Sequence, residues 1–212
     1  MLYLLFPAVV ICLISWKFYK LYIVHLNCKF RWAVEQGNTD EVKRLIKNKN
    51  ITDQKYFIVV AENGYVDIVK LLLQHPRFDP TVHHSQSMRL AIKNNHIDIV
   101  RLLLKDRRCH PTDCVVFDGW LNALDVACSV GNLEIVKLLL EDGRTNPNRH
   151  GASCLRIASQ KGYDDIVKLL SSDSRIDFED TIHTAICENK PFVVTKLKDL
   201  MQNLTRTKCL SN

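Results

Sequence analysis

Glycine and proline are scarce, at 7 and 6 of 212 residues. With 47% of residues hydrophobic, that scarcity excludes a collagen-like, low-complexity or wholly disordered chain. Outside the first segment, a strong excess of one charge is also missing. Net charge is +6, but Lys17, Lys20, Lys29 and Arg31 supply much of it within residues 1–32, which hold no acid. The remainder sets 25 basic against 23 acidic side chains. So neutral a body excludes a dedicated nucleic-acid domain, which needs a basic face to neutralise phosphates. A Gly-rich phosphate loop, an HExxH helix and a GxSxG elbow are absent. The eight histidines are scattered, and only His83 and His84 adjoin. No enzyme activity and no cofactor are expected.

Eight cysteines stand at 12, 28, 109, 114, 128, 154, 187 and 209. The chain is far longer than a disulfide-stapled mini-domain, and Cys128, Cys154 and Cys187 fall within helical patterns. Most of them read as small apolar core residues in a reducing compartment. Cys109, His110 and Cys114 lie close together, but their spacing matches no paired zinc knuckle and no second pair follows. No metal site is expected.

Residues 1–16, MLYLLFPAVVICLISW, carry no charge. As a helix they would cover about 24 Å, short of the ~30 Å hydrocarbon core. Lys17 and Lys20 can snorkel, and Trp16, Tyr19 and Tyr22 stand where an interfacial aromatic belt would be. No basic residue precedes the run and no small-x-small site follows it, so a cleaved signal peptide fits less well. Residues 1–27 are therefore expected to anchor the chain in a membrane. The positive residues that follow place the body in the cytoplasm. The competing expectation is a buried helix packed on the end of the body.

Self-comparison reveals a repeat. AVEQGNTDEVKRLI (33–46), VAENGYVDIVKLLL (60–73), AIKNNHIDIVRLLL (91–104), ACSVGNLEIVKLLL (127–140) and ASQKGYDDIVKLLS (158–171) align without gaps, and AICENKPFVVTKLK (185–198) follows more weakly. A Gly or Asn recurs at 37, 64, 95, 131, 162 and 189. Each unit reads as two helices: the first stops at that residue, which tolerates the left-handed conformation. The second opens with an acid, Asp40, Asp67, Asp98, Glu134 or Asp165, facing its exposed N–H groups, and then shows an apolar face. Pro191 opens the second helix of the sixth unit. Thirteen residues after the Gly position comes Arg77, Arg108, Arg144 or Arg175, and three further on Pro80, Pro111, Pro147 or Phe178. The Arg is expected to reach the last carbonyls of its own second helix, and the Pro to stop that helix from resuming. One such unit cannot bury its own apolar face, so stacking must supply the core. Lys43 and Lys47 in the first unit, and Thr195 and Lys198 in the sixth, break the pattern as end shields would.

These units resemble ankyrin repeats, most closely in AENGYVDIVKLLL (61–73), NALDVACSVGNLEIVKLLL (122–140) and SCLRIASQKGYDDIVKLL (153–170). The family's Thr-Pro-Leu-His start survives only in fragments, such as Leu124-Asp125 and Ile182-His183. The Arg77-Phe78-Asp79-Pro80 variant is similar to arrays common in amoebae and their large DNA viruses. The resemblance implies an all-α, ankyrin-repeat solenoid of helix-turn-helix units with short loop or hairpin fingers. This array would occupy residues 28–204, after the N-terminal hydrophobic segment (1–27) and before a flexible tail (205–212). It implies a non-catalytic protein–protein interaction scaffold. The inner-helix positions before the Gly would carry the binding face: Glu35, Gln36, Glu62, Asn63, Lys93, Asn94, Ser129, Val130, Gln160, Lys161, Cys187 and Glu188. The alternative is a membrane-localised spacer whose N-terminal segment is the functional part and whose array has no specific partner.

Where the repeat breaks, the connection from Pro111 to Ala127 takes 16 residues against 11 elsewhere in the middle units. The extra residues fall in Thr112–Leu121, TDCVVFDGWL. Insertions map to loops, often on the binding face, and large aromatics there make binding anchors. Phe117 and Trp120 are therefore candidate partner-binding residues, with extra core as the competing reading. The first and last connections are shortened to 7 residues, Asp53 to Val60 and Phe178 to Ala185, which centres binding on the middle units. Asn50-Ile51-Thr52 and Asn203-Leu204-Thr205 are glycosylation triplets that matter only in a lumen.

Overall fold

A computed structural model describes residues 2–51, 55–112 and 122–210. Every regular element among them is a helix. The chain divides into two compact units, one ending at Asp79 and one beginning at Pro80.

The first unit holds α1 (Leu2–Glu35), α2 (Thr39–Leu45), α3 (Tyr56–Asn63) and α4 (Val66–Leu73). Its core explains where α1 stops being a free helix. Leu26, Phe30, Ala33 and Val34 recur at helical spacing and are buried, so this end of α1 serves as the inner helix of the first repeat, against α2 and α3. Phe30 meets Tyr56 edge-on at 4.8 Å between ring centroids and stacks with Phe78 at 6.2 Å. From residue 15 to 25 every side chain except half-buried Ile23 is exposed, Trp16 at 59% and Phe18 at 68% among them. That excludes the expectation of a buried N-terminal helix for this stretch. Among the described residues, no helix is long and apolar enough to cross a membrane.

The second unit holds α5 (Val82–Lys93), α6 (Ile97–Lys105), α7 (Ala123–Val130), α8 (Leu133–Asp142), α9 (Arg149–Lys161), α10 (Asp164–Ser171), α11 (Phe178–Cys187) and α12 (Pro191–Leu210). The inner helices α5, α7, α9 and α11 pack in that order, and α6, α8 and α10 pack beside one another as an outer row. Buried Ile99, Val100 and Leu103 on α6, Ile135, Val136 and Leu139 on α8, and Ile166, Val167 and Leu170 on α10 occupy matching positions. Each buried aliphatic side chain removes about 1.5–3 kcal/mol of unfavourable hydration. This is the helical repeat solenoid expected from the periodicity.

Each inner helix ends as its sequence requires. Gly37, Gly64, Asn95, Gly131, Gly162 and Asn189 all hold positive φ, from 54° to 88°. At Gly131 a second constraint applies, because a Cβ there would lie 2.6 Å from Tyr163 Cζ of the next repeat. Only a glycine accommodates both the backbone and the ring. Asn38 and Asn132 cap the following helices, accepting from Glu41 N and Ile135 N at 3.0 Å each.

The repeats are stapled by arginine, though not as the sequence suggests. Arg144 donates to Leu104 O and Cys109 O, both at 2.8 Å, which belong to the preceding repeat. Arg77 donates to Ile46 O and Arg175 to Thr145 O, again one repeat back. None of these bonds reaches the arginine's own helix end. Asp142, two positions earlier, grips Arg144 at 2.7 and 2.8 Å and holds its guanidinium in place, whereas Arg77, with His75 in that position, reaches back without such a grip. Asp106 and Asp173 grip Arg108 and Arg175 in the same way, and each arginine holds its carboxyl below the usual carboxylate range.

A buried polar link joins α7 to α9. Asn122 and Asp125 form a reciprocal capping box, with Asp125 N donating to Asn122 Oδ1 at 2.9 Å and Asn122 N to Asp125 Oδ2 at 3.0 Å. Ser153 Oγ on α9 donates to the other oxygen of Asp125. Burial nevertheless pushes the Asp125 carboxyl up, against those hydrogen bonds. Cys109, Cys128 and Cys154 are buried, in keeping with a core role, while Cys187 is exposed rather than packed. The Cys128 thiol is raised well above its ordinary value by its neighbour Cys154 and by burial.

Candidate functional site

The inner helices supply one repeated surface. Because each stops at a left-handed residue, its last two side chains sit at the open end of the helix, past the apolar positions that pack sideways. In the second unit these are Lys93 and Asn94 at the end of α5, Ser129 and Val130 on α7, Gln160 and Lys161 on α9, and Cys187 and Glu188 at the end of α11. Their helices pack side by side, so the positions form a row. Lys93, Asn94, Gln160 and Lys161 are exposed, whereas Ser129 and Val130 are half-buried. Ser129 Oγ turns inward, donating to Val126 O at 2.8 Å. Glu188 pairs with Arg156 at 2.6 Å, which ties the end of α11 back to α9.

In the first unit, Glu35, Gln36, Glu62 and Asn63 hold the same positions and are exposed. Asn63 Nδ2 donates to Val59 O at 2.9 Å along its own helix. The remaining two candidates, Phe117 and Trp120, lie outside the described residues, as does Cys114. Among the described residues, no three His, Cys, Asp or Glu side chains gather closely enough to hold a metal ion.

One feature has no signature in the sequence. The ends of α6 and α8 enclose a cleft of about 500 Å³ lined by Leu104, Lys105, Arg107, His110, Asp142 and Arg144. Its cations come from two stretches more than 30 residues apart, so no local pattern announces it; only the run Lys105-Asp106-Arg107-Arg108 hints at a basic edge.

Neither surface brings together a nucleophile, a base and an oxyanion donor among the described residues. No curated protein matches the chain. Comparison with known families matches residues 30–118 and 109–182 to ankyrin repeats, in three copies. These segments cover most of the chain, contain helices α2 to α10, and show that it belongs to the ankyrin-repeat family, whose repeats form a protein–protein interaction domain.

Proposed function

We propose that the chain is a non-catalytic scaffold that holds a partner protein on the row of inner-helix ends, centred on Lys93, Asn94, Ser129, Val130, Gln160 and Lys161. Glu62 and Asn63 would serve the same role in the first unit, and Phe117 and Trp120 would act as aromatic anchors. The observation that carries this reading is the exposure of Lys93, Gln160 and Lys161 at the ends of packed helices, where they do no packing work. Side chains free of structural duty can be chosen for a partner.

The test is affinity capture with the full chain, comparing Lys93→Ala/Lys161→Ala with Lys137→Ala/Lys168→Ala on the outer helices. A partner set lost only in the first variant, with unchanged circular dichroism, supports the row. A set lost equally in both sinks it. For the aromatics, Phe117→Ala/Trp120→Ala should lose the partner and keep its thermal stability; the reverse outcome makes them core.

The scaffold is further proposed to be tethered to a membrane through residues 1–27, with the repeats on the cytoplasmic side. Exposed Trp16, Phe18, Tyr19 and Tyr22, flanked by Lys17 and Lys20 with no acid nearby, suit a lipid–water interface. Translation with microsomes checks this. Alkaline-resistant association with an unglycosylated, protease-accessible body is expected. A soluble product refutes the tether, and glycan on Asn50 or Asn203 refutes the orientation. Deleting 1–27 separates the scaffold from the spacer alternative: a scaffold keeps its partner in vitro.

A further inference from the structure

We propose that the cleft between the ends of α6 and α8 binds a phosphate-monoester group on the partner protein, as a phosphoserine or phosphothreonine side chain. Its walls carry three cations and one carboxylate: Lys105, Arg107 and Arg144 against Asp142. Arg144 is already committed, gripped by Asp142 and donating to Leu104 O and Cys109 O. That bonding fixes Arg144 and Asp142 as a rigid, mutually neutralised wall.

Lys105 and Arg107 are different. Both are exposed, and neither has an ion-pair or hydrogen-bond partner among the described residues. Two uncompensated cations therefore converge on one concavity. His110 lines it as well, with Nδ1 held by Thr112 Oγ1 at 2.6 Å, which leaves Nε2 as the ring's remaining polar atom.

The charge count selects the ligand. A carboxylate brings one negative charge and leaves one cation uncompensated. A phosphate monoester brings about −1.5 to −2 charges and three acceptor oxygens at neutral pH. Lys offers three donors on a point charge and Arg a planar fork of five, a combination that suits a tetrahedral dianion. The volume, about 500 Å³, admits a phosphorylated side chain with its flanking backbone but not the surface of a bilayer. Leu104 adds an apolar wall for the adjacent chain.

The proposal rests on the scaffold reading and is tested separately from it. The full chain is presented to immobilised peptide libraries with random flanks and a central phosphoserine or serine, read by biolayer interferometry. The phosphorylated library should bind at least tenfold more tightly. Lys105→Gln/Arg107→Gln should abolish that preference without lowering the melting temperature, since both side chains are exposed. Lys137→Gln/Lys198→Gln, which removes the same charge elsewhere, should preserve it. Equal binding of the two libraries, a preference that survives the first variant, or an equal loss in both variants overturns the proposal. So does tighter binding to vesicles containing phosphatidylinositol phosphate than to the phosphorylated library. If Lys93→Ala/Lys161→Ala abolishes partner capture while the phosphate preference stays, the cleft and the row are both upheld as separate sites. If that variant leaves capture intact while the preference stays, the row fails and the cleft stands. If capture depends on the row and no preference exists, the cleft fails alone.

Discussion

Replacing Gly131 by alanine tests the stacking of consecutive repeats at a single atom. Two costs arise. The backbone is held at φ 88°, in the left-handed region, where a Cβ meets the following carbonyl and costs about 1–2 kcal/mol. The new Cβ would also lie 2.6 Å from Tyr163 Cζ and 2.8 Å from both Cε atoms, well inside contact distance. Tyr163 must swing away from the repeat below it, and overpacking of this kind costs about 1–3 kcal/mol. The total is roughly 2–5 kcal/mol. Gly162 provides an internal control: its φ is 76°, but nothing stands within 4 Å of the place its methyl would take, so Gly162→Ala should lose only the backbone part. Urea denaturation followed by circular dichroism measures both variants, with the m-value checked because repeat arrays need not unfold in one step. Adding Tyr163→Ala to Gly131→Ala should recover the steric part and leave the backbone part. Equal losses at 131 and 162, or no recovery in the double variant, would show that the tyrosine does not press on the glycine as described.

Three further outcomes are expected. Arg144→Ala should cost about 3 kcal/mol in denaturant titrations, from two lost hydrogen bonds with a charged donor, and Arg144→Lys should recover less than half because an ammonium lacks the fork. Urea midpoints across the acid range should show two limbs of opposite sign. Hydrogen bonding to Arg44 brings Glu41 down to about 2, so its contribution is present above about 4.5, is lost as pH falls toward 2, and disappears in Glu41→Gln. Asp125 is raised by burial, so its contribution is greatest in acid and is lost as pH rises through its folded value; Asp125→Asn should flatten that limb. Phe30→Ala should destabilise the first unit by about 3–5 kcal/mol, since its ring is fully buried against Tyr56 and Phe78, with hydrogen exchange locating the loss.

The helix stops were legible because they are local. A Gly or Asn at a fixed register dictates its own φ, and all six positions adopt the expected conformation. The apolar faces of α4, α6, α8 and α10 were legible for the same reason. The arginine staple was only half legible. Its spacing was visible, but the acceptors lie one repeat back, on Ile46, Leu104, Cys109 and Thr145, and a helix-by-helix reading sees only the nearer carbonyls. Continuity of α1 was hidden by the change in role near Leu26, where one helix passes from exposed to buried without a break. The basic cleft was the least legible feature, since stacking alone brings Arg107 beside Arg144.

The backward reach of the arginines bears on how such an array changes length over generations. The repeat that ends in Arg144 carries one donor near its end and, on Thr145, one acceptor for the arginine of the repeat after it. A duplicated repeat therefore arrives with a hand for the unit before it and a hold for the unit after it. A deleted repeat removes one of each. A unit of that kind can be gained or lost whole without stranding these polar groups, while the periods vary through the loops.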